Sequence, residues 1–349
     1  MRSGGFCRTL KSVMKRFFKS TVVCCLLIFF ASFFMGCESE QTVSKTFFAM
    51  NTVMNVSFSG TNEQLGRVEK IANDLEEKFS VTKTTSVVYG MNERGEKTND
   101  EEAIALLRTC KDLSDKTEGA FDITVYPIVK AWGFTTGEYD VPSEEKLLSL
   151  LPKVDGSLIR IENGEAFLEN GAQIDLGGIA KGYCSDKIAD YLRAEGVKRG
   201  VINLGGNVYA LGEKKKGTPW KVGVASPDGN GLIGVIDASD QAVVTSGLYE
   251  RNFVRDGVTY GHIVDPFTGK TVRGDLLSVT VVGKSGTECD AFSTALFVKG
   301  AREAAQTASK LHLSVLLLTT DGTIYISQSL KNVFTPSAGY EKNKIIVIE

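Results

Sequence analysis

Apolar residues return along this chain with two different periods. Leu65, Val68, Ile71, Ala72, Leu75 and Phe79 keep the three-and-four spacing that lines one face of a helix. Ile104, Leu107, Cys110 and Leu113 repeat it and predict a second helix. That helix should open near Thr98, where Thr98-Asn99-Asp100-Glu101 fits a capping box. Helices are also expected over residues 180–194 and 290–311, the latter broken at Gly300. Residues 47–58 read as a strand pair or one long strand. Residues 201–204, 276–282 and 314–319 are short apolar runs of the kind that fill buried strands. Asn163-Gly164, Asp256-Gly257 and Asp321-Gly322 each sit between β-rich runs and signal hairpins. Helices mix with antiparallel strands instead of alternating with them, so the fold class is α+β. No repeat of solenoid length is present.

The N-terminal pattern differs from the rest. Arg2, Arg8, Lys11, Lys15, Arg16 and Lys19 form a basic stretch without an acid. Residues 21–34 follow as a mostly apolar run, shorter than the roughly 20 residues of a membrane span. The run ends in Phe34-Met35-Gly36-Cys37, similar to a bacterial lipobox, although Phe34 and Met35 depart from the usual residues. This predicts a lipoprotein signal over residues 1–36, lipidation at Cys37, a tether over residues 37–45 and a folded domain over residues 46–349. An uncleaved signal anchor and an ordinary secretory signal are the alternatives.

Charge then narrows the partners. Losing residues 1–36 removes six cations and no acid, which takes the formal charge from −2 to −8. So acidic a chain is a poor nucleic-acid binder. Cys110, Cys184 and Cys289 are too widely spaced for a disulfide framework or a zinc site, and read as small buried residues.

Two segments carry the candidate chemistry. Glu288-Cys289-Asp290-Ala291-Phe292-Ser293-Thr294-Ala295 puts a carboxylate and a hydroxyl four residues apart, on one helical face. Asp175-Leu176-Gly177-Gly178-Ile179-Ala180-Lys181-Gly182-Tyr183 puts an acid, bare backbone and a cation at a strand-to-helix turn. Carboxylate, hydroxyl and carbonyl oxygens suit Mg²⁺, which binds through a few protein oxygens and substrate phosphates. Lys181 near a helix start suits a phosphate. The plainer readings are a helix capped by Thr287 with Asp290 in its first turn, and a glycine-rich turn with a surface lysine. Neither a P-loop nor a dinucleotide fingerprint is present. His262, in Tyr260-Gly261-His262-Ile263-Val264-Asp265-Pro266-Phe267-Thr268-Gly269, reads as a proton shuttle or as a hydrogen-bonded loop histidine. His312, at an apolar helix-to-strand junction, reads as structural.

The order of segments resembles that of the ApbE family. The resemblance rests on Ala49-Met50-Asn51-Thr52, Ser86-Val87-Val88-Tyr89-Gly90-Met91-Asn92, Gly119-Ala120-Phe121-Asp122-Ile123-Thr124-Val125, the stretch 174–183, Asn203-Leu204-Gly205-Gly206-Asn207, Thr245-Ser246-Gly247, the stretch 262–269 and the stretch 290–294. It implies an ApbE-like, T-fold-like single large domain of mixed, largely antiparallel sheets with packed helices. The activity it implies is Mg²⁺-dependent transfer of FMN from FAD to a Ser or Thr hydroxyl of a target flavoprotein, releasing AMP. It further implies Mg²⁺ on Asp290 and Thr294 by side chain and on Gly178 by its carbonyl. FAD would lie against Met50, Ala120, Phe121, Asp122, Asp175, Lys181 and Val264, and His262 would assist proton removal. The expected setting is a lipid anchor on the outer face of a bacterial membrane, with a membrane or exported redox protein as partner. Hydrolysis of FAD to FMN and AMP and non-catalytic flavin binding are the other readings. The chain departs from the family where Met50-Asn51-Thr52 replaces the common Met-Gly-Thr, where Thr82 stands at a position often aromatic, and where Ser293 precedes the metal-binding threonine.

Overall fold

The alternation over residues 47–58 resolves into two antiparallel strands, β1 (Thr42–Ala49) and β2 (Thr52–Ser59). The turn between them holds Met50 at φ 48° and Asn51 at φ 56°. Asn is one of the few residues that accept this left-handed geometry, which accounts for Asn51 in place of glycine. The computed structural model describes residues 41–349. The signal, Cys37 and the first residues of the tether lie outside them. β1 starts at Thr42, so the expected tether over residues 37–45 is corrected at its end. Val43, Phe47 and Ala49 turn inward between exposed neighbours, and Thr42 pairs with Ser59.

Helices α1 (Asn62–Phe79), α2 (Val87–Arg94) and α3 (Glu101–Lys116) follow. The capping box stands at Thr61 and Gln64, not at Thr98. α3 is capped by Asp100, whose carboxylate accepts the Ala103 N–H at 2.8 Å. Thr98 is drawn into an antiparallel bridge with Ala166 and only supports that cap. The expected stripe Ile104, Leu107, Cys110 and Leu113 is buried. Short helices α4 (Tyr126–Ala131) and α5 (Glu144–Leu150) lead to the hairpin β3 (Ile159–Glu162) and β4 (Glu165–Leu168). Its Asn163-Gly164 turn has both residues left-handed. Helix α6 (Ala180–Ala194) falls where the pattern placed it.

Strands then dominate: β5 (Gly200–Leu204), β6 (Asn207–Leu211), β7 (Trp220–Ala225), β8 (Leu232–Ala238) and β9 (Gln241–Gly247). The hairpin β10 (Asn252–Arg255) and β11 (Val258–Gly261) and the strand β12 (Leu276–Gly283) come next. Helix α7 (Gly286–Lys310) precedes β13 (Ser314–Thr319), β14 (Ile324–Ser327), β15 (Phe334–Pro336) and β16 (Ile345–Ile348).

Nine strands form one sheet in the order β1-β2-β5-β6-β9-β12-β13-β14-β16, antiparallel except for β14 with β16. Period-two alternation divides its residues between two layers. Val244, Val281, Val315 and Leu317 join Met54, Val56 and Ile202 under the helices, with Val68, Ile188, Leu192 and Leu296. Their neighbours Val243, Val282, Leu316 and Leu318 face a small sheet of β15-β8-β7, against Val222, Val224 and Ile236. A third cluster of Ile128, Trp132, Phe134, Leu147, Phe253 and Val264 anchors the β10–β11 hairpin to α4 and α5. Among the described residues no helix is long and apolar enough to cross a membrane, and Cys110, Cys184 and Cys289 are free and buried.

α6 and α7 meet at glycines. A Cβ on Gly182 would lie 2.1 Å from the Gly286 carbonyl oxygen and 2.8 Å from Asp290 Cβ. Ser285, not Thr287, caps α7. Asp186, one turn beyond Gly182, accepts from Ser285 Oγ at 2.9 Å, Gly286 N at 2.6 Å, Thr287 N at 2.9 Å and Thr287 Oγ1 at 2.7 Å. Thr287 is thus turned toward Asp186 instead of capping. Gly300, at φ 74° and ψ 168°, breaks α7 as its sequence suggested. Gly182→Ala should cost about 1–3 kcal/mol by overpacking. Gly66→Ala, in α1 with nothing within 4 Å of the added carbon, should gain about 0.5–1 kcal/mol. Urea midpoints of both variants check the pair, and equal shifts would remove the helix contact from consideration.

Candidate active site

The carboxylate of Asp290 reaches from the second turn of α7 to the first turn of α6. Its Oδ2 accepts the Gly182 N–H at 2.9 Å. As the third residue of α6, Gly182 sits in the first turn, where an N–H has no carbonyl partner inside the helix, and the Asp290 carboxylate satisfies it. Gly178 precedes the N-cap residue Ile179, so its carbonyl lies outside the helix. Thr294 lies one turn beyond Asp290, and its Oγ1 is 3.2 Å from the Asp290 carbonyl and 3.5 Å from Ser246 Oγ. A Cβ on Gly178 would sit 3.6 Å from Thr294 Oγ1 and 3.4 Å from the Phe121 ring. The two segments singled out in the sequence are in contact.

They form one wall of a cavity of about 450 Å³. Met50, Ala120, Phe121, Asp122, Asp175, Gly178, Lys181, His262, Val264, Asp290 and Thr294 all line it. The β1–β2 turn supplies Met50, whose N–H donates to Glu76 Oε2 at 3.0 Å. Left-handed backbone at so bulky a residue costs energy and is retained where the surroundings impose it. The loop after α3 supplies Ala120 to Asp122. The Asp122 carboxylate is occupied by Thr124 N and Oγ1, at 2.8 and 2.6 Å, and by Gly156 N at 2.9 Å. It shapes the loop and is not a free charge, and burial raises its pKa.

Charge concentrates at Lys181. Its Nζ is 3.9 Å from Asp290 Oδ1. Asp290 chiefly, then Glu250 and Asp175, keep its ammonium protonated by raising its pKa. Burial raises the pKa of Asp175, against the pull of Arg251 and Lys181. The cavity walls, with Asp290 adding to them, push Glu250 up to about 7. Glu250 is open to the cavity's solvent, which tempers that shift.

His262 is held by its backbone N–H to the Arg251 carbonyl at 3.0 Å, and its Nδ1 lies 3.2 Å from the same oxygen. A carbonyl only accepts, so Nδ1 carries the proton and Nε2 keeps its lone pair. Burial, then Lys181 and Arg251, depress its pKa to about 4. The ring is neutral and in the tautomer a proton acceptor needs.

Glu250, Arg251 and Asp186 are neighbours of the site that the sequence reading did not single out. Thr245-Ser246-Gly247 was among the family segments, and the adjoining Glu250-Arg251 pair was the one local signal available. Asp186 had none, because its partners lie 99 to 101 residues away. Ser293 is fully buried, 2.8 Å from Ser246 Oγ, and ties α7 to β9.

Among the described residues no three His, Cys, Asp or Glu side chains group as a metal cage. The oxygen set is one carboxylate, one hydroxyl and one carbonyl just ahead of the helix. This fits a hard cation that completes its shell with substrate phosphate and water. Lys181 adds charge for a phosphate, and Nε2 of His262 an acceptor for a proton. Fold and cavity thus define an α+β protein equipped for phosphoryl-group chemistry.

The model of the ApbE family matches residues 50–317, and the chain belongs to that family. It is similar to a FAD:protein FMN transferase of Klebsiella pneumoniae (strain 342), 32% identical over 285 residues that cover 79% of this chain and 88% of the relative. It is also similar to a FAD:protein FMN transferase of Escherichia coli (strain K12), 29% identical over 84% of this chain and 91% of the relative. The crystal structure of the ApbE protein of Thermotoga maritima superposes with a TM-score of 0.79 at 33% identity, covering 84% of this chain and 99% of that one. The flavin transferase ApbE from Vibrio cholerae does so at 0.75 and 27%, with the same coverage.

The His262 shift has a sign that stability reads. Between about 4 and 6.5 the unfolded imidazole binds a proton that the folded one refuses, so the folded state weakens as pH falls through that window. Relative to the wild type, His262→Gln should gain on the order of 1 kcal/mol between pH 6.5 and 4, less than the full shift because the ring is partly exposed. Above pH 6.5 the two should run parallel. Urea titrations across that range check it, and a constant difference would refute the depressed pKa.

Proposed function

We propose that this chain transfers FMN from FAD to a Ser or Thr hydroxyl of a protein acceptor, with AMP as leaving group. The observation that carries the reading is the single cavity wall uniting the Asp290 carboxylate, the Thr294 hydroxyl, the Gly178 carbonyl, the Lys181 ammonium and the neutral His262. The relatives' names as FAD:protein FMN transferases support it.

The diphosphate of FAD lies across this wall. Asp290, Thr294 and Gly178 would hold Mg²⁺ there, which draws negative charge from the phosphate oxygens. Lys181 faces the same oxygens and keeps its proton under the field of Asp290, so it offsets charge in the ground state and as the AMP phosphate leaves. The acceptor oxygen forms a bond to the FMN phosphorus while the bond to the AMP phosphate oxygen breaks. Nε2 of His262 receives the proton of the hydroxyl. Its low basicity rises when the anionic diphosphate arrives, because a nearby negative charge favours imidazolium. Met50, Phe121 and Val264 supply apolar surface for the flavin and adenine rings.

Incubation with FAD, Mg²⁺ and a flavoprotein domain bearing an acceptor Ser or Thr should add one FMN mass to that domain. Asp290→Ala should slow this at least about a hundredfold, and chelation of divalent ions should stop it. Transfer that survives Asp290→Ala would remove the metal assignment. Free FMN without an adduct would assign hydrolysis instead, and tight FAD retention without turnover would assign a binding protein.

The chain is further proposed to act from the outer face of a bacterial membrane, held by lipid on Cys37, near membrane or exported redox proteins. The motif around Cys37 supports this. Cys37→Ser should move the protein from the membrane pellet to the soluble fraction. Retention in the pellet would refute lipid anchoring at this residue.

A further inference from the structure

The two faces of the large sheet are covered unequally. The small sheet packs on residues of β6, β9, β12, β13 and β14, such as Ala210, Val243, Val282, Leu316 and Ile324. No residue of β1, β2 or β5 belongs to that cluster. The outer side of the β1–β2 hairpin is left to solvent, and Phe48 and Val53 stand on it directly opposite each other. They are 65% and 52% exposed. The turn they flank, Met50 to Thr52, is cavity wall. A third large apolar side chain, Phe267, is 60% exposed. It follows Pro266, another wall residue, and lies within contact distance of Gly119, next to Ala120 and Phe121 of the wall.

Seven large apolar side chains are exposed among the described residues. These three lie within two residues of the cavity wall. Leu148, Leu232, Val254 and Ile345 lie at least three residues from any part of it. Scattered exposed apolar residues need no explanation, but a group gathered at a cavity mouth marks an interaction site. The polar pair beside Phe48 and Val53 is already engaged, since Thr46 Oγ1 donates to Asn55 Oδ1 at 2.7 Å. This rim offers apolar surface, not free charge.

The reaction requires more than a small molecule at this mouth. A hydroxyl carried on a polypeptide must enter far enough to reach the diphosphate, so the residues flanking it come to rest on the rim. We propose that Phe48, Val53 and Phe267 form the docking rim for the acceptor protein and take apolar side chains that flank its acceptor Ser or Thr. This rests on the transferase reading above. Phe48 and Val53 flank the wall residues Met50 to Thr52, and Phe267 follows the wall residue Pro266, so the docked surface adjoins the site of transfer.

The test compares Phe48→Ser/Val53→Ser and Phe267→Ser with Leu148→Ser, an exposed residue outside the proposed rim. The probe is the flavoprotein domain that acquires FMN from the wild type. Each variant is measured for acceptor KM, for kcat at saturating acceptor, for FAD affinity by flavin fluorescence and for its urea midpoint. The rim variants should raise acceptor KM about tenfold or more, as loss of aromatic anchors does at protein interfaces. Their FAD affinity, kcat and midpoint should stay at wild-type values, and Leu148→Ser should match the wild type throughout. An unchanged acceptor KM would overturn the proposal. So would weakened FAD binding, which would assign the rim to the flavin. Absence of any adduct with wild-type enzyme would overturn the transferase reading, whereas an adduct with unaltered KM would overturn the docking rim alone.

Discussion

The site depends on the approach of two helices at Gly182. A side chain there would strike the Gly286 carbonyl oxygen, which lies 2.1 Å from the place its first carbon would take. Its absence lets the Gly182 N–H reach the Asp290 carboxylate at 2.9 Å. One hydrogen bond thereby has two effects. It fixes the carboxylate against α6, and it satisfies a first-turn N–H that has no partner inside the helix. A buried acid held by a backbone N–H is also protected from the desolvation cost that an unpaired carboxylate would carry. Asp186 secures the same junction from the other side by binding the first residues of α7.

Around that junction the charges form a small network. Lys181 stands within the fields of Asp290, Glu250 and Asp175. It is therefore kept protonated while His262, buried and beside Lys181 and Arg251, has its pKa depressed. A cation and a neutral base thus coexist in one cavity because the acids gather at the lysine, while burial first and the basic groups second act on the histidine. This separation suits a reaction that must neutralise phosphate oxygens and accept a proton at the same time. The β1–β2 hairpin at the edge of the large sheet leaves Phe48 and Val53 exposed beside a turn that lines the same cavity.

Much of this was legible in the chain. The α+β class follows from mixed periods, α6 and the break at Gly300 from spacing and glycine, and the hairpins from Asn-Gly and Asp-Gly pairs. The candidate residues named from the family resemblance all reach one cavity. Local capping was read less well. Thr98 and Thr287 both fit the pattern of a cap, but Thr98 is taken by a bridge to Ala166 and Thr287 by Asp186. Those competitors are distant in sequence, and no local pattern announces them. β1 reaches back to Thr42 for a similar reason, since its pairing with Ser59 extends a strand that its polar residues did not suggest.

The sequence by itself determined which residue types stand in which local frames: an acid and a hydroxyl one helical turn apart, and a lysine after a glycine bend. Helical and strand periods are local properties, and a chain states them without knowing its partners. Only the tertiary structure decided that the carboxylate would take the N–H of a glycine 108 residues away, that the imidazole would face a lysine and lose its basicity, and that Glu250 and Asp186 would join them. Those outcomes rest on close packing and on electric fields between segments, and both are set by distance in space, which sequence separation does not encode.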